Sequence, residues 1–317
     1  AFKALRDNLK RAGRLNGETE LVLRQQVFWG FDNDERSVTR TKLNMFLVGD
    51  GHMNVHERDT IVDWGDGDWC EGAFQYILTN PPMGKYEGDE DISSFEFTNE
   101  RRMELLFTER VIRATEPGGG IAIVLNDGAL EAPSRQQYRQ KLLEYCDVRA
   151  VVSLTKFAFA PYTKEKTYVV FMRRKQKADE GVRQGHPIWH YIVDYDGFAN
   201  SDKRFRTKYH DDLPELTEFY AGAMRLLDEW ASIPDQFEAR RGEYEREVHD
   251  QERSEGLWGA KCAFVPIGAV ADSNFDNLLS EFHLRPHEAV PMSLSDVEAS
   301  IANLRGLMRE LAGRELE

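Results

Sequence analysis

Short apolar runs alternate with helical patterns along the first 175 residues, and this alternation restricts the fold more than any other feature. Residues 2–12 carry a helical pattern. Val27 to Asp32 reads as a strand ending in acid, and residues 34–48 as a helix on Val38, Leu43, Phe46 and Leu47. Residues 53–57 suit a short strand, and the run Phe74-Gln75-Tyr76-Ile77-Leu78-Thr79 a buried one. A helix over 98–115 places Met103, Leu106, Phe107, Val111 and Ile112 on one face; Pro117-Gly118-Gly119-Gly120 ends it, and Ile121 to Leu125 follows as a strand. A helix at 135–145 leads to strands at Val148 to Leu154 and Tyr168 to Met172. Strands alternating with helices predict an α/β fold with a doubly wound, mainly parallel sheet. The last two strands are joined by 13 residues without a clear helix, so that pair is expected to be antiparallel.

Residues 174–187 are charged and irregular, which divides the chain into 1–180 and 181–317. Beyond that boundary lie Trp189 to Val193, a polar stretch at Asp194-Tyr195-Asp196-Gly197, and a helical region from Pro214 to about Arg253. The segment 294–312 spaces Val297, Ile301, Leu304, Met308 and Leu311 alternately by four and three, a coiled-coil-like stripe. Such a stripe packs on its own domain or on a partner helix. The C-terminal part is thus expected to be mostly helical and suited to subunit contact.

Charge is unevenly placed. Residues 1–180 hold 26 Lys and Arg against 29 Asp and Glu, and residues 181–317 hold 15 against 26, within a net charge of −14. Phosphate contacts supply most non-specific affinity for nucleic acid, so an acidic chain that works on DNA needs a local basic surface or a partner that brings the DNA. Cys70, Cys146 and Cys262 are odd in number and far apart, which suits reduced cytosolic thiols better than a zinc site or a disulfide framework. No apolar stretch is long enough for a membrane span, and the expected location is cytoplasmic.

Asn80-Pro81-Pro82-Met83 closes the strand at 74–79. Each Pro fixes its own φ, lacks an N–H and biases the preceding residue toward extended geometry, so the turn is stiff. It holds a carboxamide and a carbonyl at the edge where open α/β sheets bind ligands. An ordinary strand-ending turn would have the same letters. Chemically, two acceptors, the Asn80 oxygen and the Pro81 carbonyl, suit both N–H groups of an exocyclic amine, raising electron density on a nitrogen that is otherwise a poor nucleophile. Asp32, at the end of its strand, suits ribose hydroxyls; it also suits a helix cap, a task that Asn33 or Asp34 can take instead. Asp59 suits an exocyclic amine, although an acid in an acidic loop is usually just solvated.

These stretches resemble the gamma-type adenine-N6 DNA methyltransferases, above all the modification subunits of type I restriction-modification systems. The resemblance rests on Phe31-Asp32-Asn33-Asp34, Leu43-Asn44-Met45 with Gly49, Asn80-Pro81-Pro82-Met83-Gly84 and Phe107-Thr108-Glu109-Arg110. It continues through Pro117 to Leu125, Phe159-Ala160-Pro161-Tyr162-Thr163 and Lys166-Thr167-Tyr168-Val169-Val170-Phe171, in the family's order across roughly residues 28–175. The resemblance implies that Asp32 with Asn33 binds S-adenosylmethionine, Asp32 at the ribose, and that Asp59 binds its adenine amine. It implies that Asn80, Pro81, Pro82 and Met83 form the catalytic corner and that Phe159 packs against the flipped target base. Asp196-Gly197 with Lys203-Arg204, and Asn277-Leu278-Leu279-Ser280, resemble family stretches outside the catalytic part.

Two departures stand out. Met83 occupies the place of an aromatic that stacks on the adenine; Met is apolar and adaptable but less defined in geometry. The family also opens with a strand and a Gly-rich loop that cradle the methionine part of the cofactor. No such loop precedes residues 27–32, and Ala1-Phe2-Lys3-Ala4-Leu5 matches the helix that follows it. The absent strand would be the central one, between those ending at Asp32 and Asn80, so this chain is expected to be the downstream part of a longer protein. Implied partners are DNA, a specificity subunit and a restriction subunit. A non-catalytic assembly subunit and methylation of an amine on RNA or protein are the competing readings.

Overall fold

The computed structural model describes residues 1–49, 54–65, 67–89, 91–232, 234–251, 260–273 and 275–285; the stripe at 294–312 lies outside them. Helices α1 (Phe2–Arg11) and α2 (Gly17–Val22) come first, followed by a π-helical turn at Leu23–Val27 that takes up the start of the expected first strand. The order then runs β1 (Gly30–Asp32), α3 (Glu35–Leu47), β2 (Val55–Glu57), β3 (Phe74–Thr79), α4 (Met103–Ala114) and β4 (Thr115–Asn126). After these come α5 (Asp127–Glu131), α6 (Gln136–Tyr145), β5 (Cys146–Ser153) and β6 (Thr167–Arg174). The C-terminal part adds β7 (Ile188–Ile192), β8 (Asp196–Phe198), β9 (Arg206–Asp211), α7 (Leu213–Glu229), α8 (Pro234–Gln251), β10 (Cys262–Val265), α9 (Ile267–Asp272) and α10 (Ser280–Leu284).

Six strands form the main sheet in the order β10-β7-β5-β6-β4-β3. The pairs β3–β4 and β5–β7 are parallel, and β6 runs antiparallel between β4 and β5, as the short connection after residue 154 led us to expect. Residue 180 does not interrupt this sheet: β7 pairs with β5, and β10 with β7. The helical region expected there is present as α7 and α8.

Alternating side chains give the sheet two covered faces. From β5, Val148 and Val151 join Leu105, Ile112 and Leu142 of α4 and α6 in one core, while Ala150 and Val152 join Trp189, Phe219 and Leu227 in the other. Each Val, Leu, Ile or Phe among them, fully buried, is worth about 1.5–3 kcal/mol. The Pro117-Gly118-Gly119-Gly120 segment lies within β4 instead of ending the helix, and it absorbs a register shift against β3. A Cβ at Gly119 would stand 2.6 Å from the Gln75 carbonyl oxygen, closer than any real contact, so only glycine fits there.

β1 and β2 pair in parallel as a sheet of their own. Between β1 and β3 lies an apolar slot of about 230 Å³, bordered by Trp29 and Phe31 on one side and Ile77 to Thr79 on the other. Phe31 and Phe74 meet across it edge to face, ring centres 6.0 Å apart. Among the described residues β3 has no ladder partner on this side. The expected helix at 34–48 is present, yet only Val38 of its apolar face is buried; Leu43, Phe46 and Leu47 are exposed.

Candidate active site

The Asn80 turn is built from its backbone outward. Thr79 ends β3, Asn80 is exposed, Pro81 is buried, Pro82 is exposed and Met83 is half-buried. The Asn80 carboxamide makes no hydrogen bond with any described residue, so it is free for a ligand. What holds the turn is Gly84, whose φ of +123 lies in the region that favours glycine. Its N–H donates to Glu104 Oε2 at 3.0 Å, and its carbonyl accepts from the Met103 N–H at 2.9 Å.

Glu104 is fully buried in the first turn of α4, and Arg102 Nε reaches its second oxygen at 3.0 Å. Arg135 Nη1 stands 3.9 Å away. Beneath it, Thr108 donates to the Glu104 carbonyl and the Tyr138 hydroxyl donates to Thr108. Burial pushes the Tyr138 hydroxyl far above its ordinary pKa, so it remains a donor. The sequence reading missed Glu104. Its one signal was a carboxylate inside the apolar stretch Met103-Glu104-Leu105-Leu106-Phe107, where a charge needs a partner.

Phe159 reaches the same sheet edge from the loop joining β5 to β6. Asn126, at the carboxyl end of β4, caps α5 by accepting the Ala129 N–H and donates to Glu165 of that loop, both at 3.0 Å. The Phe159 ring is half-buried, and its carbonyl accepts the N–H groups of Tyr162 and Thr163, which closes the loop tip. A second carboxylate that sequence reasoning missed supports this edge. Glu281 of α10 pairs with Lys166 at 3.0 Å, accepts from Tyr168 at 2.9 Å and accepts from Ser153. Burial works against its charge, but Lys166 and Ser153 hold the carboxyl below its usual pKa. The segment Asn277-Leu278-Leu279-Ser280 seats it: Leu278 and Leu279 enter the core, and the Ser280 hydroxyl donates to the Val151 carbonyl at 3.0 Å.

Asp32 and Asp59 lie together at the carboxyl ends of the small parallel pair. Asp32 stands opposite Glu57 in the register, and the Arg58 N–H donates to the Asp32 carbonyl at 2.8 Å. The cap of α3 is Asp34, which accepts from the Ser37 N–H at 3.0 Å and from its hydroxyl at 2.9 Å. The Ser37 hydroxyl is the main cause of the lowered pKa of the Asp34 carboxyl. Asp32 and Asn33 are exposed, and among the described residues Asp32 Oδ1 accepts only the Asp34 N–H, at 3.0 Å. Asp59 is half-buried; its Oδ1 accepts the Ile61 N–H at 2.9 Å and its own N–H donates to Asp63. Asp32 and Asp59 thus lie beyond β1 and β2 on one side of the apolar slot and Asn80 beyond β3 on the other, while Phe159 stands on the separate loop between β5 and β6.

A family model described as N-6 DNA Methylase matches residues 12–255. The type I restriction enzyme EcoEI methylase subunit of Escherichia coli is 27% identical over 243 residues, which is 76% of this chain and 45% of that protein. A solved structure concerned with complex assembly of the type I R-M system superposes with a TM-score of 0.60 at 21% identity, covering 95% of this chain and 57% of that one. The type I restriction enzyme EcoKI M protein gives a TM-score of 0.54 at 18% identity, covering 70% of this chain and 45% of that one. The chain therefore spans about half the length of the proteins it matches. On the extent of the family match, the chain belongs to the N-6 DNA methylase family.

Proposed function

We propose that this chain acts in methyl transfer from S-adenosylmethionine to N6 of adenine in DNA, as the modification subunit of a type I restriction-modification system. The observation that carries the reading is the exposed Asn80 carboxamide, without a hydrogen bond among the described residues, on a turn fixed by Glu104. Asn80 oxygen and the Pro81 carbonyl accept the two N–H groups of the amine and orient its lone pair; none of Asn80, Pro81, Pro82, Met83 or Gly84 titrates, so the corner works by orientation and electrostatics. Met83 and Phe159 cover the faces of the flipped base.

The described residues fit the nucleoside half of the cofactor. Asp32 offers an exposed carboxylate to ribose hydroxyls, with α3 already capped by Asp34, and Asp59 has one carboxylate oxygen beyond the one engaged by Ile61. When bound, the cofactor supplies the methyl group. The open β3 edge and the aromatic walls of the slot suit one further parallel strand between β1 and β3, outside the described residues. Sequence reading of DNA belongs to a specificity subunit, with residues 181–317 serving subunit contact and a restriction subunit completing the assembly. Transfer of labelled methyl groups to duplex DNA by the full protein tests the reading, and its absence with bound cofactor would favour an assembly subunit.

A further inference from the structure

The loop at 154–166 and the β8–β9 hairpin enclose an open cleft of about 730 Å³ that neither the Asn80 corner nor the Asp32 and Asp59 pair lines. Lys156 and Lys164 stand on the loop wall and Lys203 on the hairpin wall, all exposed. The walls are tied together: the buried Asp196 carboxylate accepts from the Thr155 hydroxyl at 2.6 Å and from Arg204 at 2.7 Å, and Lys164 pairs with Asp202 across the mouth at 2.7 Å. The loop 154–166 and the hairpin 196–211 together carry seven Lys and Arg against four Asp and Glu, in a chain of net charge −14. This is the local basic surface that an acidic DNA-acting chain requires.

Aromatic rings flank the charges. Tyr162 at the loop tip is 94% exposed and Phe205 on the hairpin 62%, while Arg204 covers the Phe198 ring at 4.9 Å. Basic residues interleaved with unburied rings fit a phosphate backbone with an unstacked base better than an acidic protein surface, which offers nothing to stack. The loop shares the sheet edge of Asn80 through the Asn126–Glu165 bond.

We propose that this cleft is a docking surface for DNA, with Lys156 and Lys203 contacting phosphates and Tyr162 stacking on a base beside the target. The proposal rests on the reading of Asn80 as the amine-holding corner. The test uses the full protein and fluorescein-labelled duplex DNA, with affinity followed by anisotropy between about 50 and 200 mM salt. The double variant Lys156→Gln, Lys203→Gln is expected to fold as wild type and to lower the slope of log affinity against log salt by about 2. Tyr162→Ala is expected to leave that slope unchanged and weaken binding about tenfold, with Tyr162→Phe restoring it. An unchanged slope in the double variant together with full affinity in Tyr162→Ala overturns the cleft. If Asn80→Ala still abolishes methyl transfer in that case, the corner stands and DNA lies elsewhere. Displacement of the labelled duplex by poly-glutamate as effective as by unlabelled duplex also overturns the proposal, because the cleft would then suit any polyanion.

Discussion

Glu104 Oε2 accepts the Gly84 N–H at 3.0 Å, joining a fully buried carboxylate on α4 to the turn that presents Asn80. The turn has two prolines and so few N–H groups of its own; the helix supplies the acceptor that fixes it. Burying this charge is tolerable because Arg102 contacts its other oxygen and Arg135 stands nearby.

Glu104→Ala should cost about 2–4 kcal/mol in denaturant unfolding, since it leaves the Gly84 N–H and the Arg102 guanidinium without their carboxylate. Glu104→Gln keeps an acceptor for Gly84 and should fold with a small loss of midpoint. Its methyl-transfer rate should fall about tenfold through misplacement of Asn80, with cofactor affinity held. A Glu104→Gln protein with wild-type rate would show that the turn positions Asn80 unaided.

Asp32 and Asp34, two residues apart, should separate cleanly. Asp34→Ala removes the α3 cap and should lower the thermal midpoint with little change in cofactor affinity. Asp32→Ala should leave the thermal midpoint nearly unchanged and weaken S-adenosylmethionine binding by roughly tenfold, the loss of hydrogen bonds to a charged acceptor. Calorimetric titration beside a melting curve reads both quantities.

Much of this architecture was legible before the structure, and what was not shares a physical cause. The carboxyl ends of the strands, the antiparallel β6 and the alternative cap at Asp34 follow from local periodicity and turn chemistry, which act over a few residues. The partners of Glu104 and Glu281 do not, because a buried carboxylate is stabilised by residues distant in sequence: Gly84 for the first, Ser153 and Lys166 for the second. The exposed Leu43, Phe46 and Leu47 show the converse, since periodicity reports an apolar face and not what covers it. The place of β7 and β10 in the main sheet was hidden for a related reason: strand pairing is tertiary and leaves no mark within the strand.

Stability should fall on mild acidification. Burial depresses the pKa of His190, His186 and His283; His190 is fully buried, with the His283 ring 5.3 Å away. Below about pH 6.5 the unfolded chain takes up protons that the folded histidines refuse, so the folded state loses up to about 1.4 kcal/mol per pH unit for each. Glu281, whose carboxyl is held below its usual range, adds a further loss only at pH below about 4.5. The thermal midpoint should be flat from about pH 7 to 8 and decline from about 6.5 to 5, less steeply in His190→Asn. A midpoint constant down to pH 5 would contradict this.

The central claim is that Asn80 holds the amine that receives the methyl group. Single-turnover transfer from labelled S-adenosylmethionine to adenine in duplex DNA, by the full protein with its partners, measures it most directly. Asn80→Ala should lower the rate by about 100-fold or more while cofactor affinity, read by calorimetry, stays within about twofold of wild type. An Asn80→Ala protein that turns over at the wild-type rate would contradict the account.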